Sequence, residues 1–278
     1  MREQQTGDIR WFQFEQLAAF AGLMTHGVFA RVGGVSHPPF ASLNGGLSSG
    51  DDPQHVAANR ARISAILPDI PRLTTARPVH GTTVIEVTAA TPTVMQAGAQ
   101  AVPMAADVMI TRERGIGLFW AYADCTPILM VDPVQRVVAL GHAGWRGTSG
   151  AVAVAALDAL VMRYGTRPAD VRVGLGPSIG PCCYEVDEPV RRAFLAHPIA
   201  REHLAFTTVM VDDDAGTQRP SLRLDVEAAN RAQLLAAGVP ASQIESSGFC
   251  TGCRRDLFFS HRQENSHTGR HAVVIGLR

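Results

Sequence analysis

Seven short runs in this chain have the look of β-strands: VIEV (84–87), DVMIT (107–111), IGLFWAYA (116–123), PILMV (127–131), RVVALG (136–141), VRVGLG (171–176) and HAVVIGL (271–277). Most are apolar at every position, not only at every second one. Side chains of a strand alternate between two faces, so runs of this kind suit a sheet covered on both sides. Helical segments that could supply the cover lie between them. One begins near Asp52 and contains VAANRARISAIL, and one occupies SGAVAVAALDALVMRYG, with Thr148 or Ser149 as N-cap and Gly165 as the stop. DEPVRRAFLA and DVEAANRAQLLAAG are two more, the latter stopping at Gly238. Several strands follow one another across short turns, which favours an α/β domain with mixed β-sheets flanked by helices over a clean βαβ repeat. The segment 201–222, with Asp212, Asp213, Asp214 and Gly216, reads as an exposed loop.

Charge and composition remove several classes of function. Twenty-five basic residues balance 25 acidic ones, so no basic field points to nucleic acid or an anionic membrane. All 25 basic residues are arginine. Without lysine there is no side-chain Schiff base and no P-loop, yet arginine still binds phosphate through its planar fork of donors. No apolar run reaches the ~18 residues of a membrane span, and Glu3, Asp8 and Glu15 are wrong for a secretory signal. Five cysteines, an odd count, fit reduced thiols in the cytoplasm better than a disulfide framework.

The chemistry concentrates in residues 123–150, ADCTPILMVDPVQRVVALGHAGWRGTSG. One strand leads to Cys125 and the next long one to His142, and strand ends are where α/β sheets present reactive groups. Gly144, Gly147 and Gly150 allow a tight turn, and a helix start beside Arg146 would make an anion site. His80, in the turn RPVHG, adds a second imidazole. Two imidazoles and a thiolate could hold a tetrahedral zinc with one open position for water. The same residues also suit a metal-free Cys–His hydrolase or deamidase, with Cys125 as nucleophile, His142 as base and the helix start as oxyanion hole.

VSHPPFASLN, VAANR, VHG, ADVMIT, ADCTPILM, GHAGWRGT, GPSIGPCCYEV, FCTGCRRDLFFSHR and TGR, in this order, resemble the YfiH-like family. That family is also called the laccase-domain or polyphenol oxidoreductase family, and has been reassigned as purine nucleoside phosphorylases with adenosine deaminase activity. The resemblance implies a single domain over residues 25–278, related to cysteine-hydrolase-like toxins, with residues 1–24 as an extension packed on or preceding it. It implies zinc held by His80, Cys125 and His142, which are also the catalytic residues, with Asn44, Arg146 and Arg262 at the substrate and phosphate. The implied substrates are adenosine, inosine, guanosine and methylthioadenosine together with phosphate. The enzyme would be a cytoplasmic monomer or homodimer, with no nucleic-acid or membrane partner. Two positions depart from the family pattern: Pro78 replaces a usual glutamine and His261 a usual tyrosine.

Other readings compete. The older family name implies copper, but multicopper centres need many imidazoles, and none of the ten histidines forms a His-x-His pair. GPSIG (176–180) fits the nucleophile-elbow pattern around Ser178, but Pro177 and Pro181 oppose the helix that should follow. Its glycines run one residue too long for a dinucleotide fingerprint. Cys250-x-x-Cys253 could join Cys182 or Cys183 in a structural zinc site, but 182 and 183 are adjacent, so reduced thiols beside the pocket are the preferred reading. The zinc-deaminase signature is absent, which makes any deamination convergent.

Overall fold

The computed structural model describes residues 1–91, 104–212 and 216–278. The chain begins with β1 (Arg2–Thr6), β2 (Ile9–Gln13), α1 (Glu15–Ala18), β3 (Met24–Phe29), α2 (Pro53–Ile66), β4 (Arg72–Thr74) and β5 (Val84–Glu86). Then come β6 (Val108–Thr111), β7 (Ile116–Tyr122), β8 (Thr126–Asp132), β9 (Val137–Ala143), α3 (Trp145–Ser149), α4 (Val152–Tyr164) and β10 (Arg172–Leu175). The last part holds β11 (Glu185–Val186), α5 (Glu188–Ala196), β12 (Phe206–Asp212), β13 (Gln218–Leu224), α6 (Val226–Ala236), β14 (Ile244–Ser246) and β15 (His271–Leu277).

Among the described residues these strands form two six-stranded sheets, ordered β1-β2-β3-β15-β7-β4 and β14-β10-β8-β9-β6-β5, and a three-stranded sheet β11-β13-β12. Both large sheets are mixed: β4 runs parallel to β7, β5 to β6 and β10 to β14, and the other pairs are antiparallel. They face each other across a shared core, to which one gives Leu118, Trp120, Val273 and Ile275 and the other Met109, Leu129, Val131, Val138 and Leu140. The alternate residues point outward. Phe119 and Val274 pack under Ile63 of α2, while Ile128, Met130 and Ala139 pack under Ala156, Leu157 and Leu160 of α4. This helix–sheet–sheet–helix layering explains the apolar runs, since each inner strand has two cores to fill. Truncating one such side chain, for example Leu129→Ala, would cost about 2–5 kcal/mol through the cavity it leaves.

Helices α2, α5 and α6 start where Asp52, Asp187 and Asp225 cap them, each carboxylate accepting a backbone N–H of the first turn. Two sequence expectations need correction. The helix expected after Ser149 starts earlier and breaks, because Ala151 takes a left-handed conformation (φ 61°) between α3 and α4. Neither Thr148 nor Ser149 caps it: Thr148 accepts a hydrogen bond from Asn230 of α6, and Ser149 donates to the carbonyl of Arg146. Residues 201–222 are not one loop, because β12 and β13 pair along their full length within them. Most of β12 is exposed, so no buried face marked it as a strand. Asp213 and Asp214 lie outside the described residues.

Candidate active site

Strand register brings the thiol and the imidazole together. Strands β8 and β9 are antiparallel with Thr126 opposite Ala143 and Pro127 opposite His142, so the residue before β8 meets the end of β9. Cys125 stands at that point. Gly144 is required there, since a Cβ would lie 2.9 Å from the Cys125 Sγ and 3.4 Å from the His80 ring. One ligand atom from each of His80, Cys125 and His142 lies within 4.8 Å of the others. His80 is exposed, Cys125 half-buried and His142 buried.

Asp107, at the entry to β6, positions both imidazoles. Its carboxylate accepts the N–H groups of Val79 (3.0 Å) and Gly81 (2.9 Å), on either side of His80. This holds His80 in its left-handed conformation, φ 60°. The Asp107 carbonyl accepts the N–H of His142 at 2.8 Å. The His142 ring is wedged between His80 (centroids 5.1 Å apart) and Tyr122 (5.4 Å, stacked), with Trp120 beside it. Its Nδ1 is buried and has no hydrogen-bond partner, an unusual state for an imidazole nitrogen and one that a metal bond would relieve. Burial, with a smaller contribution from His80, holds the His142 imidazole down to about 3. Burial and then the Asp124 charge push the Cys125 thiol up to about 12, against a weaker opposing pull from Arg270.

A cavity of about 260 Å³ opens beside this triad, walled by Asp124, Trp145, Arg146, Ile179, Tyr184, Val226, His261 and Arg262. That is near the lower end of the roughly 300–1,000 Å³ typical of small-molecule sites. Two guanidiniums stand at its rim. Arg146 lies over the Trp145 ring at 4.3 Å and has no carboxylate partner among the described residues. Arg262 lies over Tyr184 at 4.8 Å and donates to the Glu185 carbonyl. Asp124 is the buried acid of the wall: its two oxygens accept from the Thr251 hydroxyl (2.6 Å) and the Arg262 N–H (2.7 Å).

Of the six residues expected from the sequence, the buried His142 puts a ligand atom within 4.8 Å of those of His80 and Cys125, which together with Arg146 and Arg262 line one cavity wall. The sixth, Asn44, is fully buried behind it. Its amide donates to Ser49 and Asp51, and its oxygen accepts from the N–H groups of Gly46 and Arg270. The Arg270 guanidinium in turn reaches the His261 ring at 3.3 Å. Sequence reasoning passed over Asp107 and Asp124, although both stand in quoted motifs, ADVMIT and ADC. The available signal was an acid at the edge of an all-apolar strand, where burial demands a polar partner.

A family model described as multi-copper polyphenol oxidoreductase laccase matches residues 25–278. The purine nucleoside phosphorylase YlmD of Geobacillus stearothermophilus is 40% identical over 261 residues, 93% of this chain and 92% of that protein. The adenosine deaminase RL5, from an unknown prokaryotic organism, is 38% identical over 164 residues, 59% of each chain. Among solved structures, the hypothetical protein YfiH of Bacillus licheniformis superposes with a TM-score of 0.87 at 35% identity, covering 99% of both chains.

Proposed function

The chain belongs to the multi-copper polyphenol oxidoreductase laccase family, and from that premise we propose that it is a zinc-dependent purine nucleoside phosphorylase that also deaminates adenosine. The names of its relatives support an enzyme acting on purine nucleosides. The observation that carries the reading to this chain is the convergence of the ligand atoms of His80, Cys125 and His142 beside a cavity that Arg146 and Arg262 also line. The donor set fits the metal: two neutral imidazoles and one sulfur leave a fourth position free. When bound, zinc supplies a Lewis acid and an activated water at neutral pH.

The remaining chemistry belongs to the chain's own groups. Arg146 and Arg262 hold phosphate at the rim, where guanidinium forks match its oxygens. Trp145 and Tyr184 offer flat apolar surface to the nucleoside, here adenosine, inosine, guanosine or methylthioadenosine. A phosphate oxygen then forms a bond to the anomeric carbon. The glycosidic bond breaks, and its electron pair leaves with the purine, which takes up a proton. Fixing both reactants against one wall removes the entropic cost of their encounter.

A metal-free Cys125–His142 pair is less well supported. Burial pushes the Cys125 thiol up and holds the His142 imidazole down, and both shifts oppose the thiolate–imidazolium pair that such a mechanism needs. Two imidazoles and one thiol are too few for a multicopper centre, which sets aside the oxidase reading of the family name. Among the described residues no helix is long and apolar enough to cross a membrane. Residues 25–278 would be the catalytic unit of a cytoplasmic monomer or homodimer, with residues 1–24 adding β1 and β2 to its first sheet.

The test is base release from inosine in phosphate buffer and ammonia release from adenosine, for the native chain and Cys125→Ala. Both activities should vanish in the variant together with the pocket metal. Full phosphorolysis by the metal-free variant would overturn the reading.

A further inference from the structure

Strands β10 and β14 are parallel neighbours, so both leave their sheet at the same end. The loop after β10 carries Cys182 and Cys183, and the loop after β14 carries Cys250 and Cys253. The loops are laced together: Ser178 N–H donates to the Phe249 carbonyl, and Thr251 N–H donates to that of Ser178. The Gly180 N–H donates to the Cys250 Sγ at 3.1 Å, the hydrogen bond a thiolate accepts. All four sulfurs are free and lie within 4.8 Å of one another, with Cys253 at 3.4 Å from Cys182 and 3.5 Å from Cys183. Around a tetrahedral zinc with Zn–S near 2.3 Å, sulfurs stand about 3.8 Å apart. Gly252 lets the loops close, since a Cβ there would fall 2.8 Å from the Cys183 Cβ.

We propose that Cys182, Cys183, Cys250 and Cys253 form a second, structural zinc site, separate from the catalytic pocket, that braces one wall of that pocket. None of the four lines the cavity. Tyr184, which does, immediately follows Cys183. Thr251, between the other two cysteines, holds the Asp124 carboxylate, whose second oxygen fixes the Arg262 N–H. Four thiolates this close repel one another unless a cation lies between them. Two of the thiols are exposed and two half-buried, so the ion can be loaded and chelated from solvent.

The test counts metal on the purified full-length chain by elemental analysis and repeats the count with Co²⁺, whose thiolate charge-transfer absorption reports sulfur ligands. We expect two zinc ions per chain, falling to one in Cys250→Ser/Cys253→Ser and to one in His142→Ala, with the strong cobalt–thiolate absorption surviving only in the latter. A native chain with one metal, kept in His142→Ala and lost in the double serine variant, would support this site while defeating the catalytic zinc. One metal that the double serine variant retains would overturn it. Should that variant fail to fold, alkylation of the native chain decides. Zinc should slow modification of all four thiols by roughly ten-fold or more relative to chelated protein. Equal rates, or disulfides among the four in intact mass under non-reducing conditions, would overturn the site.

Discussion

The two sulfur-bearing clusters differ in donors, burial and surroundings. His80, Cys125 and His142 offer two nitrogens and one sulfur beside a cavity, with a buried imidazole nitrogen lacking a partner. Cys182, Cys183, Cys250 and Cys253 offer four sulfurs, two of them exposed, and none lines that cavity. Three donors beside an empty space leave room for a reactant, whereas four donors that enclose an ion leave none. Ligand number and access to a cavity thus distinguish the proposed chemistry from the proposed bracing, even though both clusters gather at sheet ends.

The contrast can be broken most severely at the open cluster. His142→Ala should reduce inosine phosphorolysis by about 10³-fold or more, read as initial rates, while the four-sulfur metal stays in place. A near-native rate would separate turnover from the triad. Arg146→Ala should raise the KM for phosphate by roughly 10–100-fold, as expected for a charge-assisted hydrogen bond of about 1.5–3 kcal/mol. The KM for adenosine in deamination should stay near its native value, and a parallel rise would instead place this arginine on the nucleoside. Asp107→Asn keeps the shape but turns a donor toward a backbone N–H. It should weaken the pocket metal by about ten-fold in competition with a chromophoric chelator, without affecting the four-cysteine site. Equal weakening at both sites would mean that Asp107 supports the fold and not the ligands.

The smallest effect concerns the frame that carries both clusters. Burial holds His271 down to about 3, far below its ordinary 6.5, so the unfolded chain binds a proton that the folded chain excludes. Stability from this group is therefore complete above pH 6.5 and lost as pH falls from there toward 3. Between pH 6 and 5 its share is roughly 1 kcal/mol, measurable by urea unfolding of metal-stripped protein. His271→Asn should flatten the slope by that amount; an unchanged slope would remove His271 as its source.

Much of the frame was legible in the sequence. The runs at 116–123, 127–131, 136–141 and 271–277 are the inner strands β7, β8, β9 and β15, where two cores demand apolar residues at every position. Strands β1 and β13 escaped because their exposed faces carry polar side chains and impose no such pattern, and β12 because it is exposed along most of its length, Val209 and Met210 included. Strand β14, only three residues long, escaped as well, and with it the parallel pairing that collects the four cysteines. The adjacency of Cys182 and Cys183 argued for reduced thiols, and the four thiols are free; what spacing along the chain does not reveal is that two loops bring them within 4.8 Å of one another.

The sequence by itself determined the layered α/β frame and the residue types at the active pocket. Both follow from local chemistry: apolar periodicity, aspartate caps, and a thiol and imidazoles at the ends of strands. Only the tertiary structure decided which of these groups meet. Asp107 gripping the backbone on both sides of His80, Asn44 acting behind the wall, and four sulfurs gathered from two loops all depend on strand register and parallel pairing. Contacts across 26 to 226 residues of chain leave no periodic mark in the sequence. They are fixed when the sheets close, because only then does burial require each polar group to find its partner.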